Sequence, residues 1–376
     1  MTPTERLLRK LISIPSVNPS FLPPNHPRAG ETRVARHLAV EASKAGLDIE
    51  WQNAIPGRAN LLARLTPRKK PQRRILLAPH LDTVDISDES ELRPRFHRGR
   101  WYGRGACDTK GSVAAMMSAL CQIAKHHGSM PGTEIMFAGF VDEEMGQAGS
   151  RAFADSGIPA DLAIVGEPTQ LQVVTCHKGN LWLKLDTQGR EAHGSKPELG
   201  RNAIHEMARI VDVLETDYAA ALRKRRHPLL GHATVNVGTI HGGKQPNIVP
   251  AQCCITVDRR TLPGESEKGV HSEIQAMLHQ HALKTVIAET KVAPCLAMET
   301  NPKLPLVQSL MRCAGQRLAK GVDYFCDASV LSSGGIPSVV FGPGDIAQAH
   351  TADEWIDAES LEQSVQILVN YLCSLP

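Results

Sequence analysis

The stretch Ile75-Leu76-Leu77-Ala78-Pro79-His80-Leu81-Asp82 decides the architecture. Four apolar residues without alternation read as a strand covered on both faces, and a Pro ends the run just before a His and an Asp. Three further runs share this form: Ile135 to Val141, Leu162 to Val165 and Val339 to Phe341. Each is followed closely by acidic or imidazole side chains. Asp142-Glu143-Glu144 follows the second run, Glu167 the third, and His350 the fourth, past Gly342-Pro343-Gly344. Between the first two runs, Val113, Met116, Met117, Leu120 and Ala124 recur at helical spacing, which predicts a helix from about Ser112 to Ala124. The pattern predicts an α/β fold with a mixed, largely parallel sheet flanked by helices. Helices are also expected from Thr4 to Ile14, stopped by Pro15, and from about Glu31 to Ala45, ended by Gly46.

Residues 178–291 read differently. Leu181, Leu183 and Leu185 alternate with Trp182, Lys184 and Asp186, as in a strand with one buried face. A helix from Asn202 to about Leu222 follows, then strands from Thr234 to Ile240 and from Cys253 to Arg259. A helix from about Glu265 to Leu283 and a strand from Thr285 to Ala288 complete the order β-α-β-β-α-β. That order is the ferredoxin-like α+β unit. The expected organisation is one catalytic domain made of residues 1–177 and 292–376, with residues 178–291 inserted as a second domain.

Bulk properties exclude several classes. The chain has 376 residues, enough for two cores, with 42% hydrophobic and 22% charged residues. A net charge of +3 is too small to suggest nucleic acid, and the basic run Arg223 to His227 lacks interleaved aromatics, so it reads as a solvated helix end. The nine Cys show no Cys-x-x-Cys pair, which argues against a disulfide framework or thiolate zinc site and fits a reducing compartment. Met1 to Lys10 lacks the apolar core of a signal peptide, and no apolar run is long enough to cross a bilayer. The expected location is the cytoplasm, with no membrane partner.

Taken singly, His80 reads as a satisfied core residue and Glu143-Glu144 as a solvated loop. Their joint placement decides otherwise, because sites in open α/β sheets form at the carboxyl ends of the strands. His80, Asp108, Glu144, Glu167 and His350 form a nitrogen–oxygen donor set that suits two divalent ions, zinc first, with cobalt and manganese as alternatives. Asp108 lies in the Gly-rich turn Gly103-Arg104-Gly105-Ala106-Cys107-Asp108, where a short side chain on a rigid backbone suits a bridge. His80 with Glu167 would serve one ion, and Glu144 with His350 the other. Asp82 is placed to accept the second ring N–H of His80. Glu143, pointing away from Glu144 in extended chain, would be the general base on a metal-activated water. Cys107 has no base placed for it and is not expected to act as a nucleophile.

At these residues the sequence resembles the dinuclear zinc deacylases and exopeptidases, the family of acetylornithine deacetylase, succinyl-diaminopimelate desuccinylase, carboxypeptidase G and aminoacylase. The matching segments are Pro79 to Val84, Gly103 to Gly111, Asp142 to Glu144, Gly166 to Thr169 and Ala349 to Glu354. The resemblance implies a zinc exopeptidase-like fold, the metal and base roles above, a cis peptide at Asp108-Thr109, and a lid role for the inserted domain. It also implies a homodimer in which His193, within Ala192-His193-Gly194-Ser195, reaches the neighbouring subunit's site and stabilises the oxyanion. Arg259 is implied to hold the substrate carboxylate, with Asn247 nearby. Phe341 to His350 looks closest to acetylornithine deacetylase. The expected reaction is hydrolysis of an N-acyl-amino acid of the N-acetylornithine type. Alternatives are desuccinylation of succinyl-diaminopimelate and exopeptidase action on dipeptides or C-terminal glutamyl substrates. A non-catalytic metal-binding scaffold is set aside because no position is missing.

Overall fold

A computed structural model describes residues 1–127, 132–288 and 295–375, and the side chains of His126 and His127 lie outside the described set. The chain divides into two compact units. The first comprises residues 1–175, 299–320 and 326–376, and the second residues 176–298 and 321–325. The boundary expected between residues 291 and 292 lies outside the described residues.

In the first unit, six strands of the main sheet lie in the order Asp48–Ile55, Arg58–Leu65, Thr133–Gly139, Arg73–Ala78, Leu162–Val165, Ser338–Val340. The last four are mutually parallel; Arg58–Leu65 pairs antiparallel with Thr133–Gly139, and Asp48–Ile55 pairs antiparallel with Arg58–Leu65. All four runs read as buried strands occupy these parallel positions. Every residue of Thr133–Gly139 is buried, as a strand with both faces covered requires. The hairpin of Asp48–Ile55 and Arg58–Leu65 carries no such signal, because Asp48–Ile55 lies at the sheet edge and is largely exposed.

Helices cover the sheet for local reasons as well as apolar ones. Pro3–Ile12 begins with a reciprocal capping box between Thr2 and Glu5 and carries Pro in its first turn. Its Leu8, Leu11 and Ile12 are fully buried. Lys110–His127 buries Val113, Met116, Met117 and Leu120 and packs against Pro3–Ile12 and Ala358–Cys373. It starts two residues earlier than its apolar spacing indicates, so that it grows directly out of the Asp108 turn.

In the second unit, Gly179–Gln188, Thr234–Gly242, Gln252–Thr261 and Val286–Ala288 form a four-stranded antiparallel sheet. Thr234–Gly242 and Val286–Ala288 are its edges, and the helices Ala203–Val213 and Glu267–Gln280 complete the ferredoxin-like order. The expected single helix from Asn202 is interrupted by a π turn at Leu214–Tyr218 before resuming as Ala219–Lys224. Among the described residues no helix is long and apolar enough to cross a membrane.

One close approach anchors the loop that carries Glu143 and Glu144. Gly149 N–H donates to the Val141 carbonyl at 2.9 Å, and Asn60 bonds both Val141 N and the Gly149 carbonyl. A Cβ on Gly149 would lie 2.5 Å from Val141 N and 2.6 Å from Val141 O. Backbone cannot yield as a flexible side chain can. Gly149→Ala is therefore expected to cost about 1–3 kcal/mol, read as a lowered urea midpoint.

Candidate metal centre

The four parallel strands deliver their acidic and imidazole residues to one edge of the sheet. His80 follows Arg73–Ala78 and bridges to Phe140, which follows the adjacent strand. Its Nε2 lies 3.1 Å from Asp108 Oδ1 and 3.8 Å from Glu167 Oε1. His350 Nε2 lies 3.4 Å from Asp108 Oδ2 and 3.1 Å from Glu144 Oε2. The two oxygens of Asp108 thus face two different imidazoles, one grouped with Glu167 and the other with Glu144. Ligand atoms of His80, Asp108 and Glu144 lie within 4.8 Å of one another. The Asp108–Thr109 peptide is cis.

Asp82 has a second task besides the one its spacing suggests. The nearest acceptor for His80 Nδ1 is the Asp82 carbonyl at 3.1 Å, with Asp82 Oδ1 farther at 3.4 Å. The Asp82 carboxylate also accepts the N–H groups of Glu143 and Glu144, each at 3.1 Å, and the Asn18 amide at 2.7 Å. A single carboxylate therefore ties the His80 segment to the Glu143-Glu144 segment. The latter is not extended, as was expected. It is a turn that opens at Asp142 with φ +73° and closes through Gly146 N–H to the Asp142 carbonyl at 3.0 Å. The turn, not strand alternation, separates the two Glu side chains. Behind it, Arg58 bonds Glu31 and Asp142, while Asn18 bonds both Asp142 and Asp82.

The electrostatics are those of a cation receptor. Burial raises Glu143 and Glu167 well above the usual carboxylate range and also raises Glu144, and mutual repulsion within the group adds to it. Burial opposes charge on His80, yet Glu167, Asp108 and Asp82 together raise it well above its ordinary value. Hydrogen bonds to Asp108 and Glu144 hold His350 up at about 10. Burial also works against ionised Asp108, but the two imidazoles hold its carboxyl low. Buried acids in such excess require compensating positive charge. Glu144 Oε1 is buried without a hydrogen-bond partner, which marks an acceptor waiting for a ligand of another kind. Two divalent cations fit this donor set. Burial pushes the Cys107 thiol up, against thiolate formation, so a nucleophilic role does not suit it.

Sequence reasoning missed Asp327. It is buried before the helix Ala328–Ser333, accepts from Ser150 Oγ at 2.5 Å through Oδ1, and leaves Oδ2 without a hydrogen-bond partner. Burial holds it up at about 7, and its charge adds to the upward push on Glu143 and Glu167. Nothing in its sequence neighbourhood, Phe325-Cys326-Asp327-Ala328, signals this placement.

The remaining candidates lie in the second unit. His193 is exposed. The Ser195 N–H donates to its Nδ1 at 3.2 Å and the Ser195 hydroxyl lies 2.7 Å from the same nitrogen, so both Ser195 contacts engage Nδ1. Asn247 lies beside it: Gly194 N–H donates to the Asn247 carbonyl at 2.7 Å, and His193 bridges to Ile248. Arg259 does not fit the carboxylate-binding role expected of it. Its side chain is 0% exposed, and its guanidinium is committed to Glu265 at 2.6 Å, Tyr218 Oη at 3.1 Å and the Arg260 carbonyl. It shares the inward face of Gln252–Thr261 with Ile255 and Val257. Its neighbour Arg260 faces the other side, half-buried and paired with Asp258 at 2.9 Å.

With this geometry established, comparison with known proteins places the chain. Residues 76–374 match the model of peptidase family M20/M25/M40, and the chain belongs to that family. It is a hydrolase acting on amide bonds, in a family that depends on a dinuclear metal site. It is 31% identical over 350 residues to the acetylornithine deacetylase of Aliivibrio fischeri, covering 90% of each chain. Among solved structures, aminopeptidase PepT of Bacillus cereus superposes with a TM-score of 0.78 at 20% identity, over 98% of this chain and 97% of that one. The dinuclear metal-binding peptidase YXEP of Bacillus subtilis gives 0.71 at 13% identity, over 98% and 96%.

Arg259→Met is expected to cost about 3 kcal/mol, because it leaves Glu265 without its buried partner. Thermal unfolding followed by circular dichroism checks this, and an unchanged midpoint would contradict the internal role of Arg259.

Proposed function

We propose that the protein hydrolyses the amide of an N-acyl-amino acid, N-acetylornithine or a close analogue first, with zinc as its metal and cobalt or manganese as substitutes. The observation that carries this reading is Asp108 facing both His80 and His350, with Glu143 on the turn that Asp82 ties to the His80 segment. Among the described residues the Glu143 carboxyl makes no hydrogen bond, and the charges that act on it are those of His80, Glu167, Asp327 and Glu144. His80, Asp108 and Glu167 would hold one cation, and Asp108, Glu144 and His350 the other. Bound there, the cations supply Lewis-acid polarisation of the amide carbonyl and acidify water.

The chain's own residues do the rest. Glu143, raised by burial, accepts a proton from the attacking water and donates it to the leaving amine. Asp82 holds the Glu143 and Glu144 backbone at a set distance from His80. His193 Nε2–H is suited to donate to the developing oxyanion. In this reading it acts from the neighbouring subunit of a homodimer, and Thr234–Gly242 supports that assembly. The strand is paired on one side only and carries Ile240 at 52% exposure, an edge that a second copy would cover. Arg260 replaces Arg259 as the candidate partner for a substrate carboxylate, because its guanidinium is on the accessible face. The acetylornithine deacetylase relatives support the choice of acyl-amino acid over peptide. The nine cysteines, with no Cys-x-x-Cys pair among them, are compatible with a reducing cytoplasm.

Glu143→Ala is expected to keep its metal content and lose at least about 100-fold in kcat. Elemental analysis beside turnover checks both halves, and an active variant would refute the base assignment. His193→Ala should lose about 100-fold in kcat with metal retained. Sedimentation of the native protein should show a dimer, and a fully active monomer would remove the cross-subunit role. A panel of N-acetyl, N-succinyl and dipeptide substrates tests the substrate class. Preference for dipeptides would replace the deacylase with an exopeptidase.

A further inference from the structure

Asp108 can serve two imidazoles only if its backbone is held still, yet it sits in a turn rich in glycine. Gly103 and Gly105 both have positive φ, and the N–H groups of Gly105, Cys107 and Asp108 precede the helix that starts at Lys110. Their acceptor comes from far along the chain. Glu354 Oε1 accepts Cys107 N–H at 2.8 Å and Asp108 N–H at 2.9 Å. Its Oε2 accepts Gly105 N–H at 2.8 Å and Arg104 Nη1 at 3.0 Å. The Glu354 carbonyl also accepts Gly103 N–H at 3.0 Å. The residue is 2% exposed, and Arg104, 3% exposed, reaches back to Glu91 at 2.8 Å.

We propose that Glu354 is the positioning residue of the metal bridge: its carboxylate clamps the backbone of the 105–108 turn so that the two oxygens of Asp108 stay aimed at His80 and His350. The inference deepens the reading of the same site and rests on it. Glu354 follows His350 by four residues, so one segment supplies an imidazole to the Asp108 carboxylate and a clamp to the Asp108 backbone. All four side-chain partners of Glu354 are donors. A glutamine of the same size therefore sets its amide N–H groups against two of them, whichever way it is turned. Glu354 touches no reacting atom and acts through Asp108.

The test is cobalt binding to metal-stripped protein, followed by the visible absorption of the bound ion and by chelator competition. Glu354→Gln is expected to bind cobalt about 10- to 100-fold more weakly, the range for loss of a group that orients a ligand, with a changed visible spectrum and native far-ultraviolet dichroism. Glu91→Gln perturbs the same buried network from the far side of Arg104 and leaves every Glu354 bond in place. Its cobalt affinity is expected to stay within about threefold of the native value on the same scale. Native affinity and spectrum in folded Glu354→Gln, or an equal loss in Glu91→Gln, overturns the proposal. If Glu354→Gln fails to fold, Arg104→Lys carries the test. It keeps the charge but cannot bridge both acids, so a smaller loss in the same direction is expected, and unchanged affinity overturns the clamp. Cobalt binding is read without substrate, so a metal-loaded protein inert toward every amide would defeat the hydrolase reading and leave this result standing.

Discussion

The structure depends on a concentration of buried negative charge at the carboxyl edge of four parallel strands. Among the described residues, Asp82, Asp108, Glu143, Glu144, Glu167 and Asp327 meet there around the imidazoles of His80 and His350. In a low-dielectric interior such acids repel one another and resist ionisation, which is why burial raises Glu143, Glu144, Glu167 and Asp327. The fold tolerates the arrangement because cations complete it. The same excess that would destabilise a bare core becomes binding free energy for a pair of divalent ions. Asp108 is the centre of that balance, since each of its oxygens is aimed at a different imidazole.

Such a site needs ligands held more firmly than loops usually hold them, and the chain does this with carboxylates that bind backbone. Asp82 receives the N–H groups of Glu143 and Glu144, and Glu354 receives those of Gly105, Cys107 and Asp108. Each therefore converts a turn into a rigid mount. Behind them, Arg58 and Arg104 each join two acids and so offset part of the negative charge in the supporting layer. Ligand geometry is thus set by charge-assisted hydrogen bonds, which are short and directional, and not by apolar packing alone.

The second unit follows a simpler logic of alternation. Cys253, Ile255, Val257 and Arg259 share one face of a strand, and three of the four are apolar. Period two therefore sends Arg259 into the core, where Tyr218 and Glu265 satisfy it, and turns Arg260 outward beside Asp258. The assignment of substrate binding to Arg259 rested on a motif. Parity along Gln252–Thr261 was the signal that would have corrected it. The loops of His193 and Asn247 meet through backbone bonds from Gly194 N–H to the Asn247 carbonyl and from Val249 N–H to the Ala192 carbonyl.

Local pattern was enough to read the α/β architecture, the four buried strands and the identity of the acids and imidazoles that follow them. Apolar runs report burial directly, and residues placed after parallel strands must emerge at one edge. What depended on tertiary structure was every relation between distant segments. Asp327 carries no local mark, and the motif that contains Glu354 does not show its clamp role, because their roles come from partners 177 and about 250 residues away. The turn at Asp142 and the backbone-binding task of Asp82 were equally hidden, since both arise where strands meet. Side-chain chemistry is written along the chain, but the direction in which a buried carboxylate spends its hydrogen bonds is set only by the neighbours that folding brings to it.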